Sequence, residues 1–374
     1  MKFTMVFALA LSFASAEALL AQDRTQGLTT PQELAPFDPA APACAVPPDL
    51  TKTLVFARDN SRDFMTGIEF GLSEAAQDGG LAFRTSDAEN DAARMAETVD
   101  TLRSEKVGAL VVAPVNARTL APHLQEMIWS GAFVGTIVPP PATTILNAPQ
   151  YLTGKVLGDA AADYIRTHLG GSANVVILTH DSLEFLTPRF AAIRDSLRSV
   201  PGAVIVADIS PLSVDEAGGY AMMNTILLAE PKIDVVLGAD TVVMGALKAM
   251  RDAGAARPDQ FFGGIDGESD AVAEMKMPDS PYKVSVSLAS SVFGYALGAN
   301  ATNWLAGKSI PQAIDVLPFA LTTQTLPQYE ADQADPGAVY ADAARRDRYL
   351  KFYGNICYDS RESYLNFPWS SEAK

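Results

Sequence analysis

One arginine lies in the first turn of a predicted helix, where its positive charge does not stabilise the helix. Arg189 directly follows Thr187 and Pro188, which suit the cap and the first turn of a helix. A positive charge at this end opposes the helix dipole, and the planar guanidinium offers five hydrogen-bond donors. We therefore expect Arg189 to bind a polar ligand. The alternative is an exposed surface arginine.

Two aspartates follow predicted strands in the second half of the chain. Asp266 precedes Gly267, whose backbone permits a tight turn, and its carboxylate can accept two hydrogen bonds from neighbouring hydroxyls or pair with an amine. Asp240 follows another strand. Both are expected to contact a ligand. Each could instead cap the helix that follows it, which for Asp240 starts near Val242.

Polar residues also follow the first predicted strand. Asp59 and Asn60 lie in its strand-end loop, where they either reach a ligand or only form the turn. The three histidines, His123, His168 and His180, are dispersed along the chain, and no metalloprotease, serine hydrolase, phosphate-loop or CxxC motif is present. We therefore expect no catalytic residue, metal or cofactor, although a site at His180 stays conceivable.

Short apolar strands alternate with amphipathic helices through most of the chain, which predicts parallel sheets covered on both faces. A first run alternates strands and helices, beginning with a strand, at 54–57, 64–76, 81–84, 92–105, 109–113, 120–130 and 133–138. A second, similar run begins with a helix and alternates in the same way, at 157–167, 175–178, 188–198, 205–208, 218–229, 235–238, 242–253, 261–265 and 270–275. The sequence therefore predicts an α/β protein with two doubly wound lobes and a ligand cleft between their carboxyl edges.

The order changes near the C-terminus. A late strand, helix and strand at 284–288, 292–305 and 317–321 suggest that the chain crosses back between lobes. We assign 51–152 plus 288–316 to an N-terminal lobe and 153–287 plus 317–340 to a C-terminal lobe. The Pro- and Ala-rich stretch 17–50 is predicted to be a flexible leader, and 341–374 a tail.

The N-terminus predicts export. Lys2 precedes a short apolar run at 3–13, and a small-residue motif then favours signal-peptide cleavage after Ala16, or alternatively after Ala21. The alternative is a buried N-terminal helix. In an oxidising compartment, Cys44 and Cys357 are expected to form a disulfide that joins leader and tail, although two unpaired buried thiols would also fit. The net charge of −16 argues against nucleic acid or an anionic membrane as partner.

Several stretches in this order and spacing resemble type I periplasmic solute-binding proteins of the ribose-binding kind. They are 110–114, 158–165, 238–247 and 263–267. The resemblance implies two lobes joined by three crossovers, closure on a small sugar or polyol-like ligand, and delivery to an inner-membrane ABC permease. A periplasmic sensor that signals to a histidine kinase or chemoreceptor is the alternative, and a monomer is expected.

The resemblance also bears on the ligand residues. It places a hydroxyl-binding arginine at Arg189, a strand-end carboxylate at Asp266 and a sugar-stacking aromatic near Phe64, which could equally be a core residue. The chain departs from the family pattern in three places. Val138 and Pro139 stand where an Asp-Arg pair is usual, and apolar alanines stand at 113 and 239. The usual hydroxyl-binding set is therefore incomplete in the first lobe.

Overall fold

A computed structural model of the protein describes residues 26–137, 140–180, 184–230 and 232–372. The expected signal peptide at 1–16 lies outside these residues. Within them the elements are, in chain order, β1 (Thr51–Arg58), α1 (Asp63–Asp78), β2 (Ala82–Asp87), α2 (Ala92–Ser104), β3 (Val107–Val112), α3 (Ala117–Trp129), β4 (Phe133–Ile137), β5 (Thr144–Asn147), α4 (Gln150–His168), β6 (Ser172–Leu178), α5 (Thr187–Arg198), β7 (Gly202–Ile209), α6 (Glu216–Ala229), β8 (Val235–Leu237), α7 (Asp240–Asp252), β9 (Phe261–Asp266), α8 (Ser269–Met275), β10 (Tyr282–Ser287), α9 (Ser290–Leu305), β11 (Ala313–Val316), β12 (Phe319–Leu321), α10 (Leu326–Ala334), α11 (Pro336–Ala341), α12 (Ala343–Arg346) and β13 (Leu350–Tyr353).

The strands form two sheets. The first has the order β13-β11-β5-β4-β3-β1-β2, and the second has the order β12-β10-β9-β8-β6-β7. Neighbouring strands are parallel, except that β13 pairs antiparallel with β11 and β12 pairs antiparallel with β10. We call each sheet with its covering helices a lobe. The predicted two-lobed α/β fold is confirmed.

The central strands carry continuous apolar runs because helices cover both faces of each sheet. All six residues of β3 are buried, and so is the whole of β8. Helices α1 and α9 pack on the first sheet in unusually close contact, since a Cβ on Gly71 would lie 2.0 Å from the carbonyl oxygen of Ser291. A Cβ on Gly294 would likewise lie 2.5 Å from the carbonyl oxygen of Ile68. Glycines on both helices therefore allow backbone-to-backbone packing.

Within the described residues, the chain passes between the lobes at three closely spaced places. These are β5 to α4, β10 to α9, and β11 to β12. The predicted strand at 317–321 is therefore wrong in its bounds, because two short strands of different sheets lie here. The two strands are separated by Leu317 and Pro318 alone.

The chain then returns to the first lobe. Strand β13 pairs with β11, and helix α11 contacts α9 and α1. Helix α10 touches both lobes, since Gln333 bonds Ser291 while Glu330 pairs with Lys276, which directly follows α8. The assignment of all of 317–340 to the second lobe is thus corrected, because α11 packs against first-lobe helices. None of the described helices has the length and hydropathy of a membrane span.

The described part of the leader is held against the tail rather than loose. The Phe37 amide donates to the Phe352 carbonyl at 3.0 Å, so the leader runs beside edge strand β13. Cys44 and Cys357 form the expected disulfide, with 6.2 Å between their Cα atoms. These residues of the leader, which was predicted to be flexible, are therefore held by backbone hydrogen bonds and by a covalent bond.

Candidate ligand-binding cleft

The carboxyl ends of strands from both sheets meet where the chain crosses between lobes. The loop after β1 leads into α1, and the loop after β9 leads into α8. These two helix starts touch across the lobes, since the Ser269 hydroxyl donates to Asp63 Oδ2 at 2.5 Å. In open α/β sheets, ligands bind at this edge. The site is therefore built from strand-end loops of two lobes in contact.

Arg189 lies at the second-lobe side of this edge. The residue is 8% exposed, and its Nε donates to Gln150 Oε1 at 2.9 Å, which fixes the guanidinium against α4. Within the described ranges, its terminal amino groups have no hydrogen-bond partner and no carboxylate within 4.0 Å. Burial lowers the pKa of Arg189, while the charge of Asp266 raises it. Thr187 does not cap this helix, because α5 begins at Thr187 itself and Leu186 occupies the cap position.

Asp266 ends β9 and is close enough to Arg189 for each charge to shift the pKa of the other. Burial raises the pKa of Asp266, and Arg189, Arg62 and His180 oppose that rise. Its φ of +119° is strained for a residue with a side chain, and such strain tends to occur at functional sites. Its carboxylate accepts no hydrogen bond from the described residues. It also does not cap α8, whose cap position is Glu268.

Asp240 is buried in the second lobe, where both of its carboxylate oxygens accept hydrogen bonds. Its Oδ1 accepts from the Tyr282 hydroxyl at 2.5 Å, and its Oδ2 accepts from the Ser285 hydroxyl at 2.7 Å and the Glu268 amide at 2.9 Å. Burial raises its pKa to about 6. The cap of α7 is Ala239, so the capping alternative is wrong. These bonds favour a structural role for Asp240, which holds the loop that carries Asp266, over ligand binding.

Glu268 joins the site as a residue that the sequence reasoning missed. Burial and the carboxylates of Asp266, Asp240 and Asp63 raise its pKa to about 7. The available signal was its place two residues after Asp266, in the same strand-end loop. A cluster of acidic groups thus faces the cations of Arg189 and Arg62.

The first-lobe candidates are occupied by local contacts. Asp59 Oδ1 accepts from the Asn60 amide at 2.8 Å, and Asn60 Oδ1 accepts from the Arg62 amide at 3.2 Å. These bonds form the turn that leads into α1. Phe64 is partly buried, with its ring tilted on Phe293 at 5.7 Å between centroids. Arg62, also missed from the sequence, lies 5.8 Å from the centre of the Phe64 ring and brings a cation to the cleft.

Two of the histidines have partners remote from this edge. His123 lies 3.0 Å from Asp100, and the ring of His168 stacks on Tyr164 at 4.3 Å. His180 follows β6 and lies close enough to Asp266 to lower the pKa of that carboxyl. Within the parts of the chain that the structure describes, no three potential metal ligands cluster.

A two-lobed α/β fold, with polar groups at the inter-lobe edge that have no partner among the described residues, is typical of solute-binding proteins. Residues 54–309 match the model of the periplasmic binding protein domain family, and they make up more than half of the chain. The chain therefore belongs to this family of periplasmic binding proteins. The family consists of solute-binding proteins rather than enzymes.

Individual relatives agree with this assignment. The chain is 25% identical to the ribose import binding protein of Bacillus subtilis over 269 residues, covering 70% of this chain and 83% of the relative. It is 30% identical to the xylitol-binding protein of Mycolicibacterium smegmatis over 227 residues, covering 58% and 62% respectively. The crystal structure of a periplasmic ribose ABC transporter protein from Conexibacter woesei is 17% identical, with a TM-score of 0.67, and covers 75% of this chain and 95% of that one.

Proposed function

We propose that this protein captures a sugar or sugar alcohol in the periplasm and delivers it to an inner-membrane ABC permease. The signal-peptide pattern at the N-terminus supports export. The relatives named for ribose import and for xylitol binding support a polyhydroxylated ligand.

The observation that carries the proposal is the pair formed by Arg189 and Asp266. The two charges influence each other, yet no ion pair within 4.0 Å joins them in the described residues. A largely buried cation and carboxylate normally pair, because an unpaired charge away from water is costly. A ligand hydroxyl inserted between them can donate to the carboxylate and accept from the guanidinium. A polyol, with hydroxyls on adjacent carbons, satisfies both groups at once.

The first lobe contributes less hydrogen bonding and more apolar contact. Asp59 and Asn60 use their side chains within the turn, whereas Phe64 leaves part of its ring uncovered. The apolar face of a sugar ring can pack against an aromatic ring. We infer that the second lobe supplies most of the hydrogen bonds to the ligand and that the first lobe supplies Phe64 and Arg62.

Closure of the lobes would bring these two sets of groups together around the ligand. A ligand favours the closed state only by its greater affinity for that state. The bond between Ser269 and Asp63 already crosses the lobes, and it would be made or broken as the cleft closes or opens. The three adjacent crossovers are the hinge that this motion requires.

A thermal-shift screen of the mature protein tests the proposed ligand class. Pentoses, hexoses, pentitols and inositols are compared with amino acids and polyamines, and a binding ligand raises the melting temperature by mass action. We expect a sugar or sugar alcohol to give the largest rise. A larger rise with an amino acid or polyamine, or no rise with any of the polyhydroxylated compounds, would contradict the proposal.

The alternative function is that of a periplasmic sensor. The thermal-shift screen gives the same result for both functions, because both bind the ligand. Uptake of the identified ligand by cells of the native host that lack the gene discriminates between the two functions. Import predicts that uptake is lost, whereas a sensor predicts that uptake by the existing permease continues.

A further inference from the structure

A pocket lies on the first lobe, outside the cleft. Its volume is about 700 Å³, within the range of small-molecule sites. It is bounded by the leader, by β13 and by the C-terminal end of α9. Ser290 at the other end of α9 adjoins the crossover, so the helix separates pocket and cleft by about 20 Å. The leader and β13 lie beyond residues 54–309, so the segments on either side of the family domain complete this pocket.

The leader forms one wall, and both of its ends are fixed. The Phe37 amide bonds β13, while the Cys44 amide donates to the Gly307 carbonyl at 2.7 Å beside the disulfide. Every second residue between these points, namely Phe37, Pro39, Ala41 and Ala43, lines the pocket. The disulfide therefore holds a preformed wall in place, which reduces the entropy that a ligand would otherwise lose by ordering it.

The pocket is aromatic and positively charged. Tyr340, Phe352 and Tyr353 line it, and the guanidinium of Arg346 lies 5.9 Å from the Tyr340 ring centre and 5.4 Å from that of Phe352. Lys308 and Lys351 also line it, and neither forms an ion pair with any described residue.

The lining holds three cations and one carboxylate, that of Asp347, to which Arg346 already bonds at 3.0 Å. The pocket is therefore locally cationic in a chain whose net charge is −16. Positive charge concentrated at a concave surface favours an anionic ligand.

We propose that this pocket is a second ligand site, which binds a small aromatic carboxylate independently of the sugar cleft. The aromatic body packs against Phe37, Phe352 and Tyr353, and the carboxylate bonds Lys308 or Lys351.

Isothermal titration calorimetry of the mature protein with 2-naphthoate, its neutral analogue 2-naphthamide and the cation 2-naphthylmethylamine tests the proposal. We expect one saturable site for 2-naphthoate, at least tenfold weaker binding of the amide, and no measurable binding of the amine. Absence of 2-naphthoate binding, or equal affinity for the amide, would overturn it. The screened sugar or sugar alcohol is added as a competitor, and competition would place 2-naphthoate in the cleft and also overturn the proposal.

Charge reversal tests the role of the lysines. The double variant Lys308→Glu/Lys351→Glu changes two exposed side chains and should weaken 2-naphthoate binding at least tenfold. The matched control Lys52→Glu/Lys232→Glu makes the same change in charge at exposed lysines outside the pocket and should leave binding unchanged. Equal loss in both double variants would mean that net charge alone attracts the probe, against the proposal.

A steric variant tests the pocket without changing charge. Ala41→Trp fills the space beside the leader wall and should abolish 2-naphthoate binding, whereas Ala40→Trp, at a neighbouring residue outside the lining, should not. Sugar binding should persist in both variants and so reports that they are folded. Retained 2-naphthoate binding in Ala41→Trp would contradict the location.

Discussion

Replacement of Arg189 by alanine should abolish tight binding of the sugar or sugar alcohol while the protein remains folded. Both terminal amino groups of Arg189 lack a partner in the described residues, so each can donate to a ligand hydroxyl. A hydrogen bond to a charged group contributes about 1.5–3 kcal/mol. Two such bonds at the lower figure amount to about 3 kcal/mol, which raises the Kd roughly 150-fold.

The conservative variant separates charge from geometry. Arg189→Lys keeps the positive charge opposite Asp266 but loses the Nε bond to Gln150, which orients the side chain. We expect the affinity to fall about tenfold in this variant, because the side chain is no longer oriented and one of the two proposed hydrogen bonds from residue 189 to the ligand is lost.

Titration calorimetry with the best ligand of the thermal-shift screen measures these changes. Arg198→Ala is the matched control, because Arg198 ends the same helix and its side chain is 71% exposed. The loss of the Gln150 bond should cost about 1 kcal/mol of unfolding free energy, so circular dichroism should remain native. If the Kd of Arg189→Ala lay within threefold of that of the unaltered protein, the proposed hydrogen bonding of the ligand by Arg189 would be wrong.

Three further perturbations test the architecture. Glu268 has a pKa of about 7 in the folded protein against an ordinary value of 4.5, so its contribution to stability falls as pH rises from about 4.5 to 7. The variant Glu268→Gln should therefore lose less melting temperature than the unaltered protein between pH 5 and pH 8. An equal loss in the two proteins would refute this. Gly71→Ala forces a methyl group onto the Ser291 carbonyl and should cost at least about 2 kcal/mol in urea unfolding, compared with under 0.5 kcal/mol for Ser73→Ala on the same helix. Replacing Cys44 and Cys357 by serine should lower the free energy of unfolding by up to about 5 kcal/mol, because the bridge closes a loop of 313 residues, and equal stability with and without reductant would contradict that.

The α/β pattern was predictable because long apolar strands and amphipathic helices carry local signals. The two short strands β5 and β11 were missed, because each has four residues and includes polar ones. Their pairing depends on contacts such as the bond from Asn147 Nδ2 to Asp315 Oδ1 at 2.7 Å. Residues 168 positions apart form that bond, so no local pattern contains it.

The same distinction applies to the cleft. Arg189 and Asp266 stay predicted ligand residues, proposed from their places at a helix start and a strand end, where neither charge serves the local backbone. Asp240 has a similar local setting, yet Tyr282 and Ser285, more than 40 residues further on, fold over its carboxylate and bond it.

The sequence by itself determined the class of fold, the two lobes and the disulfide partners, because apolar periodicity and an isolated cysteine pair are properties of residue type and order. Only the tertiary structure decided which strand-end acids are internally bonded and which have no partner among the described residues. It also decided that leader and tail together line a pocket outside the cleft. Both outcomes depend on side chains from distant segments competing for the same hydrogen bonds and space.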